Sequence, residues 1–120
     1  MSCLFDSLSK FIKDESVDGA KLRLLICDFL SSNPSLIDDM TAENIIKEET
    51  SLPIAQYIDF MRRSDTFGGA IEIRAFTKIF HINVLVKSLP NRKDIEFIEN
   101  HEYLWAVISW NGGHFEALEN

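Results

Sequence analysis

Leu104-Trp105-Ala106-Val107-Ile108-Ser109-Trp110-Asn111-Gly112-Gly113-His114-Phe115-Glu116-Ala117-Leu118 is an apolar run broken by two glycines and resumed with mixed character. Residues 104–110 carry the β-branched and aromatic enrichment of a strand. Gly112-Gly113 permits a tight turn, so residues 114–118 are expected to return antiparallel. Upstream, residues 82–87 (Ile82-Asn83-Val84-Leu85-Val86-Lys87) read as a further strand that ends near Pro90-Asn91. In residues 94–98, Ile95 and Phe97 alternate with acids, the period of a strand with one wet face.

Ahead of these strands the periodicity changes from two to three and four. Leu4, Phe5, Leu8, Phe11 and Ile12 form a helical stripe over residues 4–13, with Cys3 at its N-terminal end. Asp18-Gly19 opens a second helix with Leu22, Leu25, Ile26, Phe29 and Leu30 on one side, and Ser31-Ser32-Asn33-Pro34 closes it. Thr41 can cap a third through about Glu48. Ser51 and Pro53 start a fourth that aligns Ile54, Tyr57, Ile58 and Met61. Residues 65–69 read as a loop, and Ile71, Ala75, Phe76 and Ile79 mark a helix over residues 70–80. Helices first and strands last predict an α+β domain, helices packed on a small, mostly antiparallel sheet.

The 120 residues suit a single domain, 1–120, with a core of its own. A net charge of −7 and scattered basic residues, of which Arg62-Arg63 are adjacent, argue against nucleic acid as a partner. Neither a run of about 18 apolar residues nor a basic-then-apolar N-terminus is present, so no membrane partner and a cytoplasmic location are expected. The two cysteines have no partner at metal-ligand or redox-motif spacing, and a reducing compartment would keep both thiols free. No metal and no cofactor are expected, and a monomer is.

Cys27 lies beside the second helical stripe, where packing is its expected role. Cys3 is placed differently. A nucleophilic cysteine works as the thiolate, which a helix N-terminus and a nearby imidazolium both favour. Local sequence supplies Cys3 with the first, and one of three histidines must supply the second. His81 closes a helix and His101 follows Asn100 in a loop, whereas His114 starts a strand just past a glycine turn. Glu116, two residues on, points to the same face and could orient the ring, although a solvated surface pair fits the same spacing.

Cys3-Leu4-Phe5, then Phe67-Gly68-Gly69-Ala70-Ile71-Glu72-Ile73, then His114-Phe115-Glu116, in that order over about 110 residues, resemble the ovarian-tumour (OTU) family of cysteine proteases, most of which remove ubiquitin from proteins. The resemblance implies an OTU-like fold, with Cys3 as nucleophile, His114 as general base and Glu116 as the orienting residue, where family members more often carry Asp or Asn. It implies that Gly68 and Gly69 let a slender substrate tail approach, a structural turn being the other reading, and that Trp110 walls the cleft or packs in the core.

The family's Asp-Gly-x-Cys loop would begin ahead of Met1, which leaves Ser2 and Cys3 as the implied oxyanion donors. The implied partner is ubiquitin or a ubiquitinated protein, and the implied reaction is hydrolysis after the ubiquitin C-terminal glycine through a Cys3 thioester. The alternatives are an OTU-like domain that binds ubiquitin without cleaving it, or a protease for another ubiquitin-like modifier or a polyprotein junction. A fragment of a longer protein and a compact enzyme of the viral sort, at work in the host cytoplasm, both fit.

Overall fold

The computed structural model describes residues 3–90 and 93–118, so Ser2, one of the two implied oxyanion donors, lies outside the described residues. The first helix, α1, spans Cys3–Ser9. It is shorter than the apolar stripe suggests, because beyond Ser9 the chain continues in tighter turns. The N–H groups of Lys10, Phe11 and Ile12 donate to the carbonyls three residues back, of Ser7, Leu8 and Ser9. Phe11 and Ile12 still pack against the core from these turns.

Helix α2, Gly19–Ser31, starts at Asp18, whose carboxylate accepts the Lys21 N–H at 2.9 Å. Its buried stripe is Leu22, Arg23, Ile26, Cys27 and Leu30, rotated from the expected one, with Leu25 36% exposed. The sequence pattern did not reveal the short hairpin of β1 (Ser35–Ile37) and β2 (Met40–Thr41). It turns through Asp38, at φ 50°, in strands too short to show a period.

Helix α3, Ala42–Thr50, is capped by the Thr41 hydroxyl, which accepts the Asn44 N–H. Ser51, expected to open the next helix, instead closes this one in the left-handed conformation. Pro53 precedes α4, Ile54–Met61, with its φ already at the value a helix start needs. Gly69 precedes α5, Ala70–Phe80, and His81 ends it, also left-handed.

The sheet strands are β3 (Asn83–Ser88), β4 (Ile95–Phe97), β5 (Trp105–Trp110) and β6 (Phe115–Ala117), in the order β4-β3-β5-β6. β3 with β4 and β5 with β6 pair antiparallel, as expected, whereas the long central pairing of β3 with β5 is parallel. That arrangement follows from β4, which carries the chain back to the start of β3 along one edge. The chain then crosses the end of the sheet and begins β5 on the other side of β3.

Asn83 pins this crossing. Its buried side chain donates from Nδ2 to the carbonyls of Asn100 (2.8 Å) and Tyr103 (3.3 Å) and accepts at Oδ1 from the N–H of Glu99 (2.9 Å) and Asn100 (3.3 Å). All of its hydrogen-bonding capacity is spent on one loop, so the amide is buried at little cost.

Helix α5 packs against β3 and β4, α1 against β5 and β6, and α2 against α1, α4 and α5. Leu4, Phe5, Leu8, Leu22, Ile26, Phe76, Val84 and Ile108 fill the space between them. No described helix is long and apolar enough to cross a membrane.

Candidate active site

Helix α1 begins with Cys3 and packs on the strand that His114 introduces, so the two ends of the described chain meet at one edge of the sheet. Cys3 is half-buried at the first position of α1, and its carbonyl accepts the Ser7 hydroxyl at 2.7 Å. Leu4 and Phe5, directly after it, are buried, which anchors the helix start to the core.

His114 and Glu116 are both exposed and flank Phe115, which turns inward against Trp110 with ring centroids 4.5 Å apart. The β5–β6 register sets this alternation by placing Phe115 opposite Trp110 and Glu116 opposite Ser109. Trp110 is half-buried against the core, the packing reading, and it precedes the turn that leads to His114. Among the described residues the side chains of Cys3, His114 and Glu116 are not hydrogen-bonded to one another. Such bonds are often open in a protease without substrate and close when it binds.

The turn that presents His114 is built by Asn111, which the sequence reading passed over. Its side-chain oxygen accepts the N–H of Gly113 (3.0 Å) and of His114 (2.9 Å), and its own N–H donates to the His114 carbonyl (3.3 Å). This is an Asx turn, legible in retrospect from an asparagine ahead of two glycines. Gly112, at φ 98°, occupies a conformation that side-chain-bearing residues rarely adopt.

The two central glycines have different jobs. A Cβ at Gly68 would lie 2.9 Å from Leu4 Cδ2 and from two ring carbons of Phe5, so the loop backbone rests directly on α1. Gly69 has open space where a Cβ would be. On its other side the loop borders a cleft of about 360 Å³, shared with Leu52, Tyr57 and Phe60, at whose rim Phe67 is 59% exposed.

Beneath that loop lies a buried polar group the sequence reading also missed. Glu72 Oε1 accepts the Gly69 N–H at 2.7 Å, and Oε2 accepts the Tyr57 hydroxyl at 2.5 Å. Burial pushes the Glu72 carboxyl above its ordinary value, against the opposing pull of these two donors. Burial likewise raises Tyr57. Arg23, 2% exposed, lies over the Phe5 ring at 4.4 Å and donates to the Met61 carbonyl at 2.9 Å.

Cys27 is fully buried in α2, and desolvation lifts its thiol to about 11, which leaves it protonated and inert at neutral pH. His81 stacks on Tyr103 at 5.1 Å, and His101 is exposed in the crossing loop. Neither belongs to the edge that α1 and β6 share. The described residues contain no cluster of three or more His, Cys, Asp or Glu able to hold a metal.

These features define an α+β domain with a helix-borne thiol and an imidazole just ahead of β6, at one edge of a mixed sheet. The family model for OTU-like cysteine proteases matches residues 2–110, and the chain belongs to that family. The matched span includes Cys3, Gly68, Gly69 and Trp110 and stops short of His114 and Glu116.

Ubiquitin thioesterase OTU1 of Rattus norvegicus is 29% identical over 122 residues, which cover 98% of this chain and 33% of the relative. The Homo sapiens protein of that name is 28% identical with the same coverage. The chain thus spans about a third of the length of these curated relatives. Among solved structures, an OTU domain in complex with ubiquitin superposes with a TM-score of 0.76 at 23% identity, over 97% of this chain and 62% of the other. The Hazara virus OTU bound to ubiquitin gives 0.65 at 18% identity, over 98% and 74%. At these identities the structural likeness establishes the fold.

Proposed function

We propose that this chain is a thiol-dependent deubiquitinase, hydrolysing the peptide or isopeptide bond that follows the ubiquitin C-terminal glycine. The observation that carries the reading is the packing of α1 on the β5–β6 hairpin, which brings the helix of Cys3 and the strand of His114 together in a chain of this family. The Cys3 thiolate attacks the glycine carbonyl, and His114 gives a proton to the departing amine. His114 then takes a proton from water, which attacks the thioester and releases the carboxylate and the free thiol. Glu116, on the face of His114, orients the imidazole, and the Cys3 N–H serves as an oxyanion donor.

Gly68, Gly69 and Trp110 border the path of the substrate tail. The net charge of −7 suits the basic tail of ubiquitin, and the reducing cytoplasm suits a free thiol. Ubiquitin carrying a C-terminal electrophile tests the reading. It should label the wild-type chain covalently, and Cys3→Ala should abolish labelling while leaving the melting temperature unchanged. His114→Ala should slow labelling by roughly 10³-fold. Tight ubiquitin binding without labelling would make the domain a binding module, and labelling by another modifier alone would move the substrate.

A further inference from the structure

Two buried polar groups converge on the segment between α4 and α5, and the chemistry above uses neither. Arg23 reaches its start from α2, donating to the carbonyl of Met61, the last residue of α4, while its guanidinium covers the Phe5 ring. Glu72 reaches it from α5, joining the Gly69 N–H to the Tyr57 hydroxyl of α4. Between these anchors Gly68 lies against Leu4 and Phe5, the two residues that follow Cys3.

A fully buried carboxyl group is a costly choice for a core position unless each of its hydrogen-bond partners is in place. A Gly-Gly segment is also the part of a chain with most freedom to lose. We propose that Tyr57 and Glu72 are positioning residues, a clamp on the Gly69 N–H that holds the glycine loop as a preformed wall beside the nucleophile helix, so that the substrate tail enters a rigid slot. The proposal rests on the hydrolase reading. It assigns the clamp to substrate binding and not to bond making, because the attacking and proton-transferring groups sit on α1 and at the start of β6. A loose loop would have to be ordered by the substrate itself, and that cost falls on KM.

The test uses Tyr57→Phe, which deletes the hydroxyl and keeps the ring, and Glu72→Gln, which keeps the acceptor for Gly69 and offers an N–H to the Tyr57 oxygen. With ubiquitin bearing a C-terminal fluorogenic amide, Tyr57→Phe should raise KM about tenfold with kcat within about threefold, and Glu72→Gln, which leaves the Tyr57 hydroxyl hydrogen without an acceptor, should raise KM by about threefold with kcat again preserved. The Gly69 amide should exchange hydrogen faster in Tyr57→Phe, while alkylation of Cys3 by iodoacetamide keeps its rate. An unchanged KM in Tyr57→Phe, or a loss that follows only the folded fraction, overturns the clamp.

Ubiquitin binding measured by calorimetry in a Cys3→Ala background separates this inference from the one beneath it. If wild type does not turn over but Tyr57→Phe still weakens binding about tenfold, the hydrolase reading falls and the clamp stands. If no variant binds ubiquitin, both fall.

Discussion

Around Cys3 the backbone is held by the core, whereas around His114 it is held by one asparagine side chain and a short strand pairing. The start of α1 is followed by the buried Leu4 and Phe5, covered by the Gly68 backbone and by the Arg23 guanidinium. The His114 turn is exposed throughout residues 111–114 and depends on Asn111 Oδ1 and the short pairing of β6 with β5. Changes in the buried residues that back Cys3 should therefore register first as lost stability. Changes near the histidine should register first as lost rate in a protein that is still folded.

The largest stability effect that would break or confirm this contrast comes from Gly68→Ala. Its methyl must displace Leu4 and Phe5, and overpacking of that kind costs about 1–3 kcal/mol. Urea denaturation should show the loss, and Gly69→Ala, with open space at its Cβ, should be close to wild type. Equal midpoints for the two variants would mean that the loop does not rest on α1.

Asn111→Ala probes the His114 turn. It removes the acceptor shared by two exposed N–H groups, so the stability loss should stay at about 1 kcal/mol or less while kcat falls about tenfold. Full activity in a normally folded Asn111→Ala protein would show that β6 pairing alone aims His114.

The smallest effect is one of pH and sharpens the picture beneath the glycine loop. Because burial raises the Glu72 carboxyl in the folded chain, the neutral form is the one folding favours. That contribution is complete below the ordinary value of 4.5 and is lost as pH rises through the folded value. Stability of wild type relative to Glu72→Gln, measured by denaturation at a series of pH values, should fall as pH climbs above 4.5. A difference that holds constant, or grows with pH, would mean that the carboxylate is welcome where it lies.

Much of the local structure was legible because its causes are local. Asp18 and Thr41 cap their helices with the side-chain bonds their positions suggested, Pro53 starts α4, and His81 closes α5. The last third alternates as strands do, and β3, β5 and β6 lie within a residue or so of the stretches that predict them. The candidate site was partly legible in the same way. A cysteine at a helix start and a histidine after a glycine turn are patterns visible without coordinates, and so is an asparagine ahead of that turn, although its weight was missed.

What stayed hidden depends on residues far apart in the chain. The stripe on α2 is rotated because that helix packs on α1, α4 and α5 together, which draws Arg23 and Cys27 inward and leaves Leu25 at the margin. Periodicity measures one apolar face and cannot rank three neighbours. The parallel pairing of β3 with β5 depends on a crossing pinned by Asn83, and the burial of Glu72 depends on Tyr57 fifteen residues away.

By itself the sequence determined helices α1 to α5 to within their ends, strands β3 to β6 of the main sheet, the turn that carries His114 and the placement of a thiol at a helix start, since each is settled by neighbours within a few residues. Tertiary structure alone decided that α1 lies against the closing hairpin, that Gly68 bears on Leu4 and Phe5, and that an arginine and a glutamate are buried beneath the site. The reason is that burial and sheet order are set by which surfaces meet, and packing brings together groups that no local pattern can pair.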